Sequence, residues 1–269
     1  MAMTRRDEQL HHQADQLTRL ARDLHSDEKL FILKHWNAAA TNRHRTTGAW
    51  FTPLSLARDL SIGLGDSTNT VIDLCAGIGH LTWECRDLAG RLWNNQDPRR
   101  VICVEREEEY VRVGRKILPD AHWICANAFT VITDPTSYGI IDRVDVAISN
   151  PPYGRADING TGPRYTGKRA EYHVLDAAAE LAQRAVFLIP QDSAPFAYSG
   201  RQNYVEKRSD EYERFVRETG LVLKPNCGID THTHDDGWHY PAPRTEVVLA
   251  DLQPARQEAH QPELALTAQ

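Results

Sequence analysis

The sequence predicts an α/β protein: a mostly parallel seven-stranded sheet with helices on both faces and an antiparallel hairpin at one edge. Three observations carry that expectation. Between Val71 and Ile189, short apolar runs alternate with stretches of helical periodicity, the pattern of strands joined by crossover helices. The first run passes directly into a glycine-containing turn and then a helix. The last two runs, 221–223 and 246–249, are joined by a polar loop without helical periodicity, which marks a hairpin rather than a crossover.

Taken in order, residues 4–25 place Leu10, Leu17, Leu20 and Leu24 near one face of a helix. So thin a stripe suits a helix resting on the body of the protein, with a dimer or partner contact as the alternative. Leu30-Phe31-Ile32-Leu33 and Trp36 are apolar enough to pack, whereas 41–48, with Arg43, His44 and Arg45, is polar and basic. Strands are expected at 71–74, 101–105, 123–125, 144–148 and 185–189, and helices within 81–92, 107–118 and 170–184. Beyond Asp251 the composition turns to Gln, Ala, Pro and Glu, which reads as a frayed tail. The division expected is a helical extension over 1–47, a main domain over 48–252 and a flexible tail over 253–269.

The chain has 269 residues, with 31 Lys and Arg against 37 Asp and Glu, a net charge of −6. Fibrous and wholly disordered classes are excluded by its 41% hydrophobic content. The sequence contains no apolar run near the roughly 20 residues a membrane span needs, and no signal core follows Met1. A cytoplasmic protein without membrane contact is expected. The five cysteines are scattered and mostly lie in strand-like runs, as reduced core thiols would. A net negative charge argues mildly against indiscriminate nucleic-acid binding, but a local basic surface is enough to dock a phosphate backbone.

The chemistry-bearing residues fall at successive strand ends. The first strand runs into Asp73-Leu74-Cys75-Ala76-Gly77-Ile78-Gly79-His80, whose glycines permit a tight turn and close approach to a ligand. Position 82 is Thr, so the dinucleotide fingerprint is incomplete and NAD is disfavoured. Glu105 ends the second strand at the spacing of a ribose-binding acid. Asn127-Ala128-Phe129 follows the third and could hold an adenine ring by its edge and face. The fourth ends in Asn150-Pro151-Pro152-Tyr153-Gly154, where two prolines remove backbone donors and fix the directions of an amide and an aromatic ring. Next comes 155–169, which carries Arg155, Arg164, Lys168 and Arg169 against one acid and reads as a mobile, phosphate-seeking lid. Residues 189–196, ending in Phe196, are expected to line the target side of the pocket. The cluster His232-Thr233-His234-Asp235-Asp236-Gly237-Trp238-His239 is read as a polar loop and not a metal site, because no cysteine partner lies nearby.

On Phe51-Thr52-Pro53, the loop from Asp73 to Gly79, Glu105 and Asn150-Pro151-Pro152-Tyr153, the chain resembles the S-adenosylmethionine-dependent amino-methyltransferases of nucleic acid, in particular the DNA adenine methylases. The resemblance covers about 48–252 and implies a seven-stranded, Rossmann-like class I methyltransferase sheet. It implies that S-adenosylmethionine is held by Phe51, Thr52, Pro53, Asp73, Cys75, Ala76, Gly77, Gly79, Glu105, Asn127, Ala128, Phe129 and Asn150. Catalysis would rest on Asn150, Pro151, Pro152 and Tyr153, and DNA would meet Arg155, Arg164, Lys168, Arg169, Phe196 and Trp238, with Tyr240 a further candidate aromatic. There are two departures. Asn127 stands where the family often has Asp, and only 17 residues follow Leu252, too few for the target-recognition domain common in relatives that read long sites.

An exocyclic amine on a base is a poor nucleophile because its lone pair is delocalised into the ring. The Asn150 side-chain oxygen and the Pro151 carbonyl could accept its two hydrogens and localise that pair, while Tyr153 stacks on an extruded base. The expected activity is N6-adenine methylation of DNA at a short or relaxed site, in a restriction, protection or regulatory setting. The alternatives are cytosine-N4 methylation, RNA adenine-N6 methylation, protein glutamine methylation and, outside enzymes, a cofactor-binding subunit of a methylase complex.

Overall fold

The computed structural model describes residues 4–37, 50–239 and 241–252. Positions 41–48, Tyr240, the 47/48 boundary and the tail after Leu252 lie outside the described residues. One sheet organises the chain, built from β1 (Thr70–Asp73), β2 (Arg100–Glu105), β3 (His122–Cys125), β4 (Val144–Ser149), β5 (Ala182–Pro190), β8 (Leu223–Pro225) and β9 (Thr245–Asp251). The strands lie in the order β3-β2-β1-β4-β5-β9-β8. The first five pair in parallel; β9 lies antiparallel between β5 and β8. The seven-stranded, mostly parallel expectation therefore holds, and the edge hairpin is present with a 3-10 turn at Thr231–Gly237 in its loop.

The central strands are buried on both sides, which explains their unbroken Val, Ile and Ala runs. One face carries α7 (Ala128–Val131), α8 (Ala170–Leu181) and α9 (Asp210–Thr219), with Tyr172, Leu175, Ala178 and Phe215 in a single cluster. The other carries α3 (Leu54–Ser61) and α4 (His80–Cys85), through Leu56, Leu60 and Leu81. The helices α1 (Arg5–Thr18) and α2 (Ser26–His35) share a cluster with α6 (Glu108–Ile117), in which Trp36 is fully buried. They rest on the body of the protein, with Arg112 donating to Thr18 and Lys116 to the Leu20 carbonyl.

Several boundaries differ from the sequence reading. The helix expected over 81–92 breaks into α4 and α5 (Leu88–Trp93), because Asp87 adopts a left-handed φ of 46°. The first helix stops at Thr18, and β5 begins at Ala182, inside the stretch read as helix. Among the described residues, α3, α7, α9 and a short ribbon of β6 (Phe196–Ala197) and β7 (Val205–Glu206) escaped that reading. The signal for α9 was present in Ser209, whose hydroxyl caps it by accepting from the Tyr212 N–H, and in Gly220, which ends it at a φ of 72°. Cys85 and Cys103 are core thiols as expected, but Cys125 and Cys227 are exposed. Among the described residues no helix is long and apolar enough to cross a membrane.

Candidate active site

Strand order reverses between β1 and β4, and ligands of open α/β sheets settle at such a switch point, beyond the carboxyl ends of the strands. Asp73 pairs in register with Ile148, and the Leu74 N–H donates to the Ile148 carbonyl. The glycine turn and Asn150 therefore leave adjacent strand ends side by side. Between them opens a cavity of about 830 Å³, part of it continuous with solvent.

Phe51, Cys75, Gly77, Glu105, Asn127, Ala128, Phe129, Asn150, Pro151 and Pro152 line this cavity. The turn needs its glycines. Gly77 has a φ of 56° and Gly79 one of 102°; a Cβ on the first would lie 3.0 Å from the Phe51 ring, and on the second 2.8 Å from Leu118. Gly79 also caps α4. The remaining residues expected to hold the cofactor support the wall from behind. Asp73 is buried and accepts from the Thr82 hydroxyl at 2.9 Å, and burial pushes its carboxyl up to about 7. Buried Ala76 donates to the Val104 carbonyl, and Pro53 starts α3.

Glu105 accepts the Gly77 N–H at 2.8 Å with one carboxylate oxygen and the Glu107 N–H at 2.9 Å with the other. Burial pushes it up to about 7 against the pull of these donors. It thus braces the glycine turn as well as facing the cavity. Asn127, a candidate for the edge of an adenine ring, lines the cavity, and its side-chain oxygen caps α7 by accepting the Phe129 N–H at 3.0 Å. Its nitrogen donates to the carbonyls of Ile158 and Asn159 and so pins the loop after the Pro-Pro turn across the cavity.

Asn150 is anchored through its amide nitrogen, which donates to the Trp50 carbonyl at 2.8 Å and the Thr52 hydroxyl at 3.0 Å. Thr52 is thus a support for Asn150 and not a wall of the cavity. The Asn150 oxygen accepts from the Tyr153 hydroxyl. Glu171, fully buried in the first turn of α8, accepts the Gly154 N–H at 2.7 Å and the Ser193 hydroxyl at 2.5 Å. Sequence reasoning missed Trp50, Ile158 and Glu171; nothing local to a buried glutamate at a helix start betrays that it clamps a turn.

The segment 155–169 is not the free basic lid the sequence suggests. Arg164 is tied to Asp176 and Glu180, Arg169 to Ser193 and Asp192, and Tyr165 is buried. Both cations are paired with acids of the fold, Arg164 with buried Asp176 and exposed Glu180 and Arg169 with exposed Asp192; Arg155 and Lys168 alone of the four stay exposed. Phe196 is 1% exposed and belongs to the core, not to the cavity wall. Trp238 is also buried and packs edge-on against Trp50 at 6.2 Å. In the histidine-rich loop, His234 lies between Ser55 and Asp59, and His232 beside Asp235.

No family model matches the sequence, and no curated protein does. Among solved structures the chain is similar to a putative class I S-adenosylmethionine-dependent methyltransferase from Listeria monocytogenes, at 13% identity and a TM-score of 0.53, over 94% of this chain and 76% of that one. It is similar to a modification subunit of a putative type I restriction enzyme from Vibrio vulnificus, at 12% identity and a TM-score of 0.51, over 86% of this chain and 50% of that one. The protein of the DrdV-DNA complex gives 13% identity and a TM-score of 0.54, over 86% of this chain and 30% of that one. The fold is that of the class I methyltransferases, and the chain spans about half the length of the modification subunit it matches.

Proposed function

We propose that the chain transfers a methyl group from S-adenosylmethionine to the exocyclic N6 amine of adenine in DNA. The observation that carries this reading is the anchoring of Asn150: its amide nitrogen is held from the Phe51-Thr52-Pro53 side, which directs its oxygen to the side of the turn where Tyr153 lies. A rigid acceptor next to the Pro151 carbonyl is what an amine with a delocalised lone pair requires.

The residues present suit the cofactor. Glu105 offers a carboxylate for ribose hydroxyls, Ala128 and Phe129 an apolar wall for an adenine ring, and Gly77 room for close backbone approach. When bound, S-adenosylmethionine supplies an electrophilic methyl group. The protein's part is positional. Asn150 and the Pro151 carbonyl accept hydrogen bonds from the amine, Pro152 stiffens the turn, Tyr153 stacks on the base, and Glu171 holds Gly154 so that the turn keeps its shape. Burial raises the Tyr153 phenol above its usual range, so it stays a neutral ring and a hydrogen-bond donor.

DNA is favoured over RNA or protein by the Phe-Thr-Pro element beside the turn and by the fold shared with a restriction modification subunit and a DNA-bound complex. The test is incubation with labelled S-adenosylmethionine and separate DNA, RNA and protein pools, followed by mass spectrometry of the digests. N6-methyladenine in DNA is the expected product. N4-methylcytosine, or label confined to RNA or to glutamine, would replace this reading with one of the alternatives.

A further inference from the structure

We propose that the ribbon β6–β7 and its tip, residues 198–208, hold duplex DNA beside the target base; the assignment rests on the DNA-methylase reading above. Three observations carry it.

The first is position. Strands β4 and β5 are parallel neighbours with Ser149 level with Phe187, so the chain leaves β5 at Pro190 on the sheet edge where Asn150 lies. The root of the ribbon is tied to the catalytic turn, since Glu171 accepts the Ser193 hydroxyl with one oxygen and the Gly154 N–H with the other. The second is rigidity. Glu246, fully buried in β9, accepts from the Gln191 amide at 2.7 Å, the Tyr198 N–H at 2.7 Å, and the Ser199 N–H and hydroxyl, each at 2.9 Å. Across the ribbon the Lys207 N–H donates to the Pro195 carbonyl. A loop that only joined β5 to α9 would not need its base locked by a buried carboxylate.

The third is chemistry. Every residue from Arg201 to Arg208 is exposed. The run presents two amides, Gln202 and Asn203, and the cations Arg201 and Lys207, neither of which has an acidic partner among the described residues; Arg208 lies 3.6 Å from Glu213. Glu206 is the one acid in the run. Tyr204 is 48% exposed while one face of its ring stacks on buried Phe196. A two-stranded ribbon fits the major groove, where side-chain amides pair with adenine and arginine with guanine, and cations and a fixed aromatic ring suit the backbone and an unstacked base. The occupant that uses all of these together is duplex DNA flanking an extruded adenine.

The test uses the full chain and two surface variants, Q202A/N203A and R201A/K207A. Duplex binding is read by fluorescence anisotropy against salt, flanking-base preference by modification-sensitive sequencing, and cofactor-site integrity by S-adenosylhomocysteine affinity. R201A/K207A is expected to weaken duplex binding about tenfold at 0.1 M salt and to flatten the salt slope by roughly two units. Q202A/N203A is expected to change the bases preferred beside the methylated adenine. Both should bind S-adenosylhomocysteine within about twofold of the parent. An active parent with both variants unchanged in slope and preference would overturn the assignment. A parent that methylates no DNA would overturn the DNA reading itself, and the ribbon's role with it.

Discussion

The Tyr153 hydroxyl donates to the side-chain oxygen of Asn150 at 2.5 Å, so the acceptor assigned to the target amine is already engaged in the free protein. The Asn150 nitrogen is fixed by Trp50 and Thr52, which leaves Tyr153 as the partner that must move. On the proposed reading, a base entering the site would exchange one donor for another at Asn150 and free the phenol ring to stack on it, so that the ring satisfies the acceptor in the free protein and would serve as platform for the base.

Tyr153→Phe should therefore retain at least half of the parent turnover, since the ring remains and only the competing donor is lost. Tyr153→Ala should lose about two orders of magnitude, because base–aromatic stacking contributes about 1–3 kcal/mol. Steady-state kinetics on a methylatable duplex decides between them. Equal losses in both variants would assign the hydroxyl, not the ring, to catalysis.

Asn150→Ala should lower kcat by about 10²–10³-fold or more, the usual cost of removing one preorganised group at a developing charge. Affinity for S-adenosylhomocysteine should stay within about tenfold, because the amide acts on the target amine more than on the cofactor. Calorimetry paired with turnover separates the two effects, and retained turnover would remove Asn150 from its role.

Glu105 sets a pH dependence whose sign is fixed. Its carboxyl is raised from 4.5 to about 7 and that of Asp73 from 3.8 to about 7, both chiefly by burial. A raised carboxyl favours folding fully below its unfolded value, and that contribution fades as pH rises through the folded value. The free protein should thus lose stability between about pH 4 and pH 7 through these two groups. Cofactor binding runs the other way: ribose hydroxyls donate best to an ionised Glu105, so S-adenosylhomocysteine affinity should rise as pH passes through 7. Glu105→Gln should abolish that rise and, by setting an amide N–H against a backbone donor, cost about 1–3 kcal/mol of stability. Titration calorimetry across pH 6–8 is the check, and an unaltered slope in the variant would locate the titrating group elsewhere.

The parallel sheet was legible because burial on both faces imposes continuous runs such as Val101-Ile102-Cys103-Val104, and the strand-end residues because each follows its run directly. What escaped was set by distant contacts. Nothing near Glu246 in sequence says that it locks the base of a ribbon 47 and 48 residues away, and the polar stretch 191–209 lacks the periodicity that identifies an element. The expectation of a short or relaxed site rested on the 17 residues after Leu252 and on the glycine-rich segment 155–169, and did not weigh 198–208. Charge was misread for a related reason: composition reveals the cations in 155–169 but not the acids that fold brings to them.

Asp176 is fully buried and accepts the N–H groups of Arg164 and Tyr165 at 2.6 and 2.8 Å, besides the Arg164 guanidinium at 2.7 Å. Removing one partner of a buried ion pair typically costs about 3–5 kcal/mol. Two backbone donors remain on Asp176, however, and the Arg164 side chain is 35% exposed, so solvent screening reduces the loss to about 1–2 kcal/mol. Arg164→Ala should therefore lower the melting temperature by on the order of 4 °C and leave the salt dependence of DNA binding unchanged. Lys168→Ala and Arg155→Ala should do the opposite, with stability shifts within about 0.5 kcal/mol, because both side chains are exposed. Thermal melting and salt-dependent anisotropy on the three variants separate the roles. A flattened salt slope in Arg164→Ala without a melting shift would restore Arg164 to the DNA-facing surface and make its bond to Asp176 a resting contact that the nucleic acid displaces.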